Sequence, residues 1–110
     1  MGEDFPRTAR LLSGAEFRRV FDQRKAIGNS LFRIHYAPAE TARLGLAVSR
    51  RVSPKAVVRN RIRRQVRESF RLKRSELVPC DYIVLAKPPA ATATSADLRL
   101  ALDQLWQRLT

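Results

Sequence analysis

Between Val58 and Phe70 an apolar residue returns at every fourth position: Val58, Ile62, Val66, Phe70. That spacing lines all four along one side of an α-helix, where they can pack into a core. Asn60, Arg63, Arg64, Arg67 and Arg71 fall on the opposite side, and Glu68 is the only acid among them. A solvated helix face usually mixes bases with acids. Here guanidinium groups stack on one face and repel, so a polyanion is the expected counterpart. Arginine's planar fork of donors suits phosphate oxygens better than lysine's point charge does. A nucleic-acid-binding helix follows, against the plainer reading of an ordinary solvated basic face.

At 110 residues the chain has room for one domain and one hydrophobic core, spanning residues 1–110. The net charge is +12, and it is concentrated. From Arg50 to Arg74 there are eleven bases against the single acid Glu68. Such a patch is the electrostatic footprint of a nucleic-acid binder. An anionic membrane surface is the competing partner. Helices that lie on membranes carry bulky Trp, Phe and Leu on the apolar side, whereas this one carries mostly Val and Ile, suited to packing on a sheet. No apolar run approaches the roughly 20 residues of a membrane span. The start, Met1-Gly2-Glu3-Asp4-Phe5-Pro6, is acidic and lacks the apolar centre of a signal peptide. The single Cys80 has no partner for a disulfide or a zinc site. The expectation is a cytoplasmic protein with no membrane partner.

Ser13-Gly14-Ala15-Glu16 has the spacing of a capping box, opening a helix through Phe17 and Phe21. Gly28-Asn29 predicts a turn between a short strand, Lys25–Ile27, and a longer one, Leu31–Ala37, in which Phe32, Ile34 and Tyr36 alternate with Arg33 and His35. A further strand, Arg43–Ser49, turns Leu44, Leu46 and Val48 to one face. Ser53-Pro54 predicts the start of the basic helix, with Ser53 as N-cap and Pro54 at the first helical position. That helix runs to about Arg71 and can fray on to Leu77 before Pro79 stops it. Asp81–Ala86 is nearly all apolar, as expected of a buried central strand. A last helix begins near Thr94 or Ser95 and turns Leu98, Leu102, Leu105 and Trp106 inward. The order is helix, three strands, helix, strand, helix, with a β-α-β crossover around the basic helix.

Protein-borne catalysis is poorly supported. There is one histidine, no paired carboxylate motif, no phosphate-cradling glycine loop and no cluster with metal spacing, so no catalytic or metal-ligating residue is assigned. Phe17 and Phe21 lie one helical turn apart. They can serve as ordinary core or, beside Arg33 and His35, as a stacking platform for single-stranded bases. His35 is either a solvent-facing strand residue or an RNA contact. Asn60, a poor helix former, is either tolerated on a polar face or bonded to RNA or a nearby loop.

Lys55-Ala56-Val57-Val58-Arg59-Asn60-Arg61-Ile62-Arg63-Arg64-Gln65-Val66-Arg67-Glu68 resembles the Arg-Asn-Arg signature of the protein subunit of bacterial ribonuclease P. Glu16–Phe21 is similar to that family's first helix, Leu44–Val52 to the strand leading into the signature, and Asp81–Ala86 to its last strand. The resemblance implies an α+β fold, an α-β-β-β-α-β-α two-layer sandwich. It also implies a left-handed β-α-β crossover, where sequence pattern alone gives the common right-handed one. It further implies that a large RNA subunit performs the hydrolysis with Mg²⁺ bound mainly by that RNA. The protein would act as a subunit of this endoribonuclease with no protein partner required, helping to remove the 5′ leader of precursor tRNA. Carried over, the RNA-subunit contacts are Arg59, Asn60, Arg61, Arg63, Arg64 and Arg67. The leader cleft takes Phe17, Phe21, Arg33 and His35, the last standing where many relatives place Tyr. The alternatives are a general or ribosome-associated RNA binder and a protein-only nuclease; the absence of acid–base pairs argues against the second.

Overall fold

A computed structural model of the chain describes Arg10 and residues 13–110. The acidic start that bears on a signal peptide lies outside the described residues. The elements are helix α1 (Gly14–Asp22), strands β1 (Ala26–Gly28), β2 (Phe32–Pro38) and β3 (Arg43–Ala47), helix α2 (Ala56–Lys73), strand β4 (Cys80–Ala86) and helix α3 (Ser95–Gln107). Short 3₁₀ turns, Arg74–Glu76 and Pro88–Thr92, flank β4. The expected order is therefore present.

The strands form one sheet in the order β1-β2-β4-β3. β2 runs antiparallel to both β1 and β4, while β3 and β4 are parallel. A parallel pair cannot be joined by a tight turn, and α2 supplies the crossover. Insertion between β2 and β3 explains the apolar run of β4: Cys80 to Val84 are all buried.

Alternation along the strands divides the sheet into two faces. Phe32, Ile34, Leu44, Tyr82 and Val84 point toward α2 and α3 and form the main core with Ile62, Val66, Phe70, Leu98, Leu102 and Trp106. At its centre Phe70, Tyr82 and Trp106 meet pairwise, with ring centroids 5.6–6.5 Å apart. Burying an indole N–H requires an acceptor, and the buried Ser69 provides one, with Trp106 Nε1 donating to its Oγ at 2.9 Å. The opposite face is covered only in part. There α1 lays Val20 and Phe17 over Ala37, Ile83 and Leu85.

Local signals in the sequence mostly survive. Ser13 and Glu16 form the reciprocal capping box of α1, and Thr94 Oγ1 caps α3 by accepting from Asp97 N. Asn29 closes the β1–β2 turn, its Oδ1 accepting from the backbone of Leu31 and Phe32. The three early strands shift slightly: β1 and β2 each sit one residue later than expected, and β3 ends at Ala47. The start of α2 is a correction. Its N-cap is Lys55, without a side-chain cap, and neither Ser53 nor Pro54 is helical. Ser53 Oγ does accept from Lys55 N at 3.2 Å, the bond a cap makes to its second helical residue, but Lys55 itself is extended at φ −85° and ψ 119°, so the helix starts only after it.

Candidate nucleic-acid interface

Two cationic surfaces emerge, one on each side of the sheet. The first is the outer face of α2. Ile62, Val66 and Phe70 are fully buried and Val58 partly so, which fixes the rotation of the helix and turns the arginines outward. The structure then separates residues that the sequence grouped together. Arg64 and Arg67 are exposed and make no side-chain bond among the described residues. Arg63 donates to Asn60 Oδ1 at 2.9 Å and to the Val48 carbonyl at 3.4 Å. Arg59 donates to the Ser53 carbonyl at 2.9 Å. These bonds fasten the loop after β3 to α2, so that exposed Arg50, Arg51 and Lys55 adjoin the helix face. On the other flank Arg61 spans to the carbonyls of Ala93 and Ala91, at 3.0 and 3.3 Å. Arg71, assigned from sequence to the open face, bonds Glu68 through Nε and Nη2. That contact, before all else, holds the Glu68 carboxyl below its usual range.

The second surface lies between α1 and the sheet, and all four cleft residues named from sequence meet there. Phe17 and Phe21 have ring centroids 6.4 Å apart, and Phe21 stands edge-on to His35 at 4.8 Å. Arg33 Nε donates to His35 Nε2 at 3.3 Å. This bond requires a lone pair on Nε2, hence a neutral imidazole. Burial first, and then the Arg33 charge, lower the His35 pKa from its usual value. Its Nδ1 is buried with no hydrogen-bond partner. Phe17 packs into the small α1 core, whereas Phe21 is 36 % exposed and free on one side. Phe17 thus takes the core role, and Phe21 is left as an exposed ring beside His35.

What sequence reasoning missed is the device that sets the cleft wall. Asp81, fully buried, receives Arg43 through two bonds and Arg19 of α1 through another, while Arg43 Nη1 reaches Glu16 at 2.8 Å. Asp81 bonding, opposed by burial, combines with Glu16 to raise the Arg43 pKa above its already high ordinary value. The network pins α1 to the sheet at two points. An acid opening an otherwise apolar strand was the available signal, since a buried carboxylate needs a cation.

Fold and surface together define a class: a small, strongly basic α+β domain with an arginine-faced crossover helix and an aromatic, cation-lined cleft. A family model described as Ribonuclease P matches residues 5–110. The "Ribonuclease P protein component" of Methylococcus capsulatus is 47 % identical over 99 % of this chain and 87 % of its own length. The protein of that description from Xylella fastidiosa is 42 % identical over 96 % of this chain and 78 % of its own. Among solved structures, the RNase P protein of Staphylococcus aureus superposes with a TM-score of 0.85 at 28 % identity, covering 91 % of this chain and 94 % of that one. That of Thermotoga maritima gives 0.81 at 26 % identity, covering 92 % and 97 %. The chain belongs to the ribonuclease P protein family.

Proposed function

We propose that the chain is the protein component of a ribonuclease P holoenzyme in the cytoplasm. In this reading it binds the catalytic RNA through α2 and holds the 5′ leader of precursor tRNA in the α1–sheet cleft. The observation that carries the reading is the pair Arg64 and Arg67, exposed and unpaired among the described residues, on the helix that bears the family's signature. Unanswered guanidinium groups on a rigid helix suit phosphates whose positions are fixed by a folded RNA. Arg59, Arg61 and Arg63 each spend only part of their five donors on loop carbonyls. The remainder can reach RNA at the rim, alongside Asn60.

In the cleft, a single-stranded leader would stack a base on Phe21 and set its backbone against Arg33. The neutral His35 would serve as a polar edge rather than a charge. The protein supplies no acid–base pair in this reading. In this reading the Mg²⁺ of the reaction is bound mainly by the RNA subunit.

Reconstitution tests this function. The chain alone should leave precursor tRNA intact, and adding it to ribonuclease P RNA at low Mg²⁺ should promote removal of the leader. An unrelated basic RNA-binding protein at the same concentration should not. A chain that binds the RNA without promoting cleavage would be a general RNA binder instead.

A further inference from the structure

The arginine stripe does not end at the family signature. Arg64, Arg67, Arg71 and Arg74 succeed one another at three- and four-residue intervals, so they follow one line of about 15 Å down α2 and onto the first residue of the 3₁₀ turn that continues it. The line runs into an open pocket of about 460 Å³ below the last turn of the helix. Arg71, Arg74, Thr41 and Ser75 bring guanidinium and hydroxyl groups to it, and Leu77 and Pro79 give it an apolar side. Neither Glu40 nor Glu76 lines it. Arg74 is fixed there by one bond, Nε donating to the Ala42 carbonyl at 3.1 Å. Its Nη1 and Nη2 make no further bond among the described residues.

We infer that this pocket is a phosphodiester subsite, taking a backbone phosphate of the same RNA that docks on α2. A guanidinium held at Nε and open at both terminal nitrogens presents a two-pronged donor to an anion. Thr41 and Ser75 add hydroxyl donors on either side, a set that matches the several acceptor oxygens of a phosphate. Continuity with the stripe selects the RNA subunit over the leader, because the cleft lies on the other face of the sheet. The inference rests on the assignment of α2 to that RNA.

Arg74→Gln is the informative variant. The glutamine amide nitrogen is as many bonds from the backbone as Arg74 Nε, so it can keep the bond to Ala42 while removing the charge. Thr41→Asp, at an exposed position, places a carboxylate in the pocket without touching the core. Assembly with ribonuclease P RNA is measured across a salt series, with Arg64→Ala as the reference and a melt for each protein. Arg74→Gln should reduce the salt slope by about 0.7–0.9 and weaken assembly about fivefold near 0.1 M salt, the share of one phosphate contact. Thr41→Asp should weaken assembly at least as much, and Arg74→Lys should restore the slope. If Arg64→Ala flattens the slope while both pocket variants keep it, the pocket holds no phosphate. If Arg64→Ala also leaves the slope unchanged, the assignment of α2 fails and takes the subsite with it. A loss confined to precursor tRNA binding by preassembled holoenzyme would place the pocket on a different RNA and overturn the inference.

Discussion

Arg43 and Asp81 stand opposite each other in the parallel β3–β4 pair and join side chains in a two-pronged salt bridge, Nε to Oδ1 at 2.7 Å and Nη2 to Oδ2 at 2.8 Å. Asp81 has no solvent access, while Arg43 keeps 27 % of its side chain exposed. Arg19 of α1 shares the same carboxylate. The bridge therefore joins two strands and also orients α1, and with it Phe17 and Phe21. Stability and cleft geometry depend on one buried charge.

Asp81→Asn should accordingly destabilise the chain by about 3 kcal/mol, the lower end for breaking a buried pair because Arg43 can partly rehydrate. Glu16→Gln, whose half-buried carboxylate joins this network through Arg43, should lose less than about 1 kcal/mol. Urea unfolding of both variants checks this. An Asp81→Asn protein as stable as its parent would show that the carboxylate does not organise the sheet.

Within α2 the two faces should respond differently. Ile62 is fully buried beneath the sheet-facing side, so Ile62→Ala should lose about 2–5 kcal/mol. Arg64→Ala, on the exposed side, should change stability by less than about 0.5 kcal/mol. Thermal melts separate them, and equal shifts would mean that the rotation of the helix is wrong.

That rotation was legible in the sequence because one face of α2 had to satisfy a core, and a four-residue repeat of Val, Ile and Phe has a single way to do so. The central place of β4 was legible for a similar reason: only a strand covered on both faces tolerates Tyr82-Ile83-Val84-Leu85 in succession. The four-residue step from Phe17 to Phe21 and the two-residue step from Arg33 to His35 likewise put each pair on one side of its element. The inward turn of Arg59, Arg61 and Arg63 was not legible. Which arginine finds a carbonyl depends on where loops pass, and Arg61 bonds a loop 32 residues away. Asp81 announced that it needed a cation, but not that the cation would be Arg43, 38 positions earlier, shared with Arg19. The start of α2 failed for a local reason: Ser53 makes the bond expected of a cap, but the backbone stays extended at Lys55, which becomes the N-cap in its place.

His35 predicts a pH dependence. Its folded pKa lies below the usual 6.5, chiefly through burial. The unfolded chain therefore binds the proton first, and stability must fall as pH drops from about 6.5 toward the folded value. Above about pH 7 the contribution is fully present. As the chain's only histidine, His35 should account for the side-chain part of this slope, and His35→Phe should flatten it. The lowered Glu68 carboxyl acts separately, its contribution being lost only below the ordinary carboxylate pKa near 4.5. Urea midpoints at pH 5.5 and 7.5 would check the assignment; an unaltered slope in His35→Phe would refute it.

The sharpest test of the cleft is Phe21→Ala. Phe21 is the exposed ring of the pair and touches His35 edge-on, whereas Phe17 carries part of the α1 core. Removing Phe21 should leave the fold nearly intact, and Phe17→Ala should both loosen α1 and disturb the cleft. A stacked leader base contributes about 1–3 kcal/mol, so Phe21→Ala should weaken precursor tRNA binding to the holoenzyme by about 5- to 150-fold. Mature tRNA has no leader to place in the cleft, and its binding should hardly change. Assembly with the RNA subunit, which the proposal assigns to α2 on the other side of the sheet, should also be unaffected. Parallel titrations with precursor and mature tRNA, together with a melt, separate these effects. A folded Phe21→Ala protein that still prefers precursor over mature tRNA by the parental ratio would move the leader off this face of the sheet.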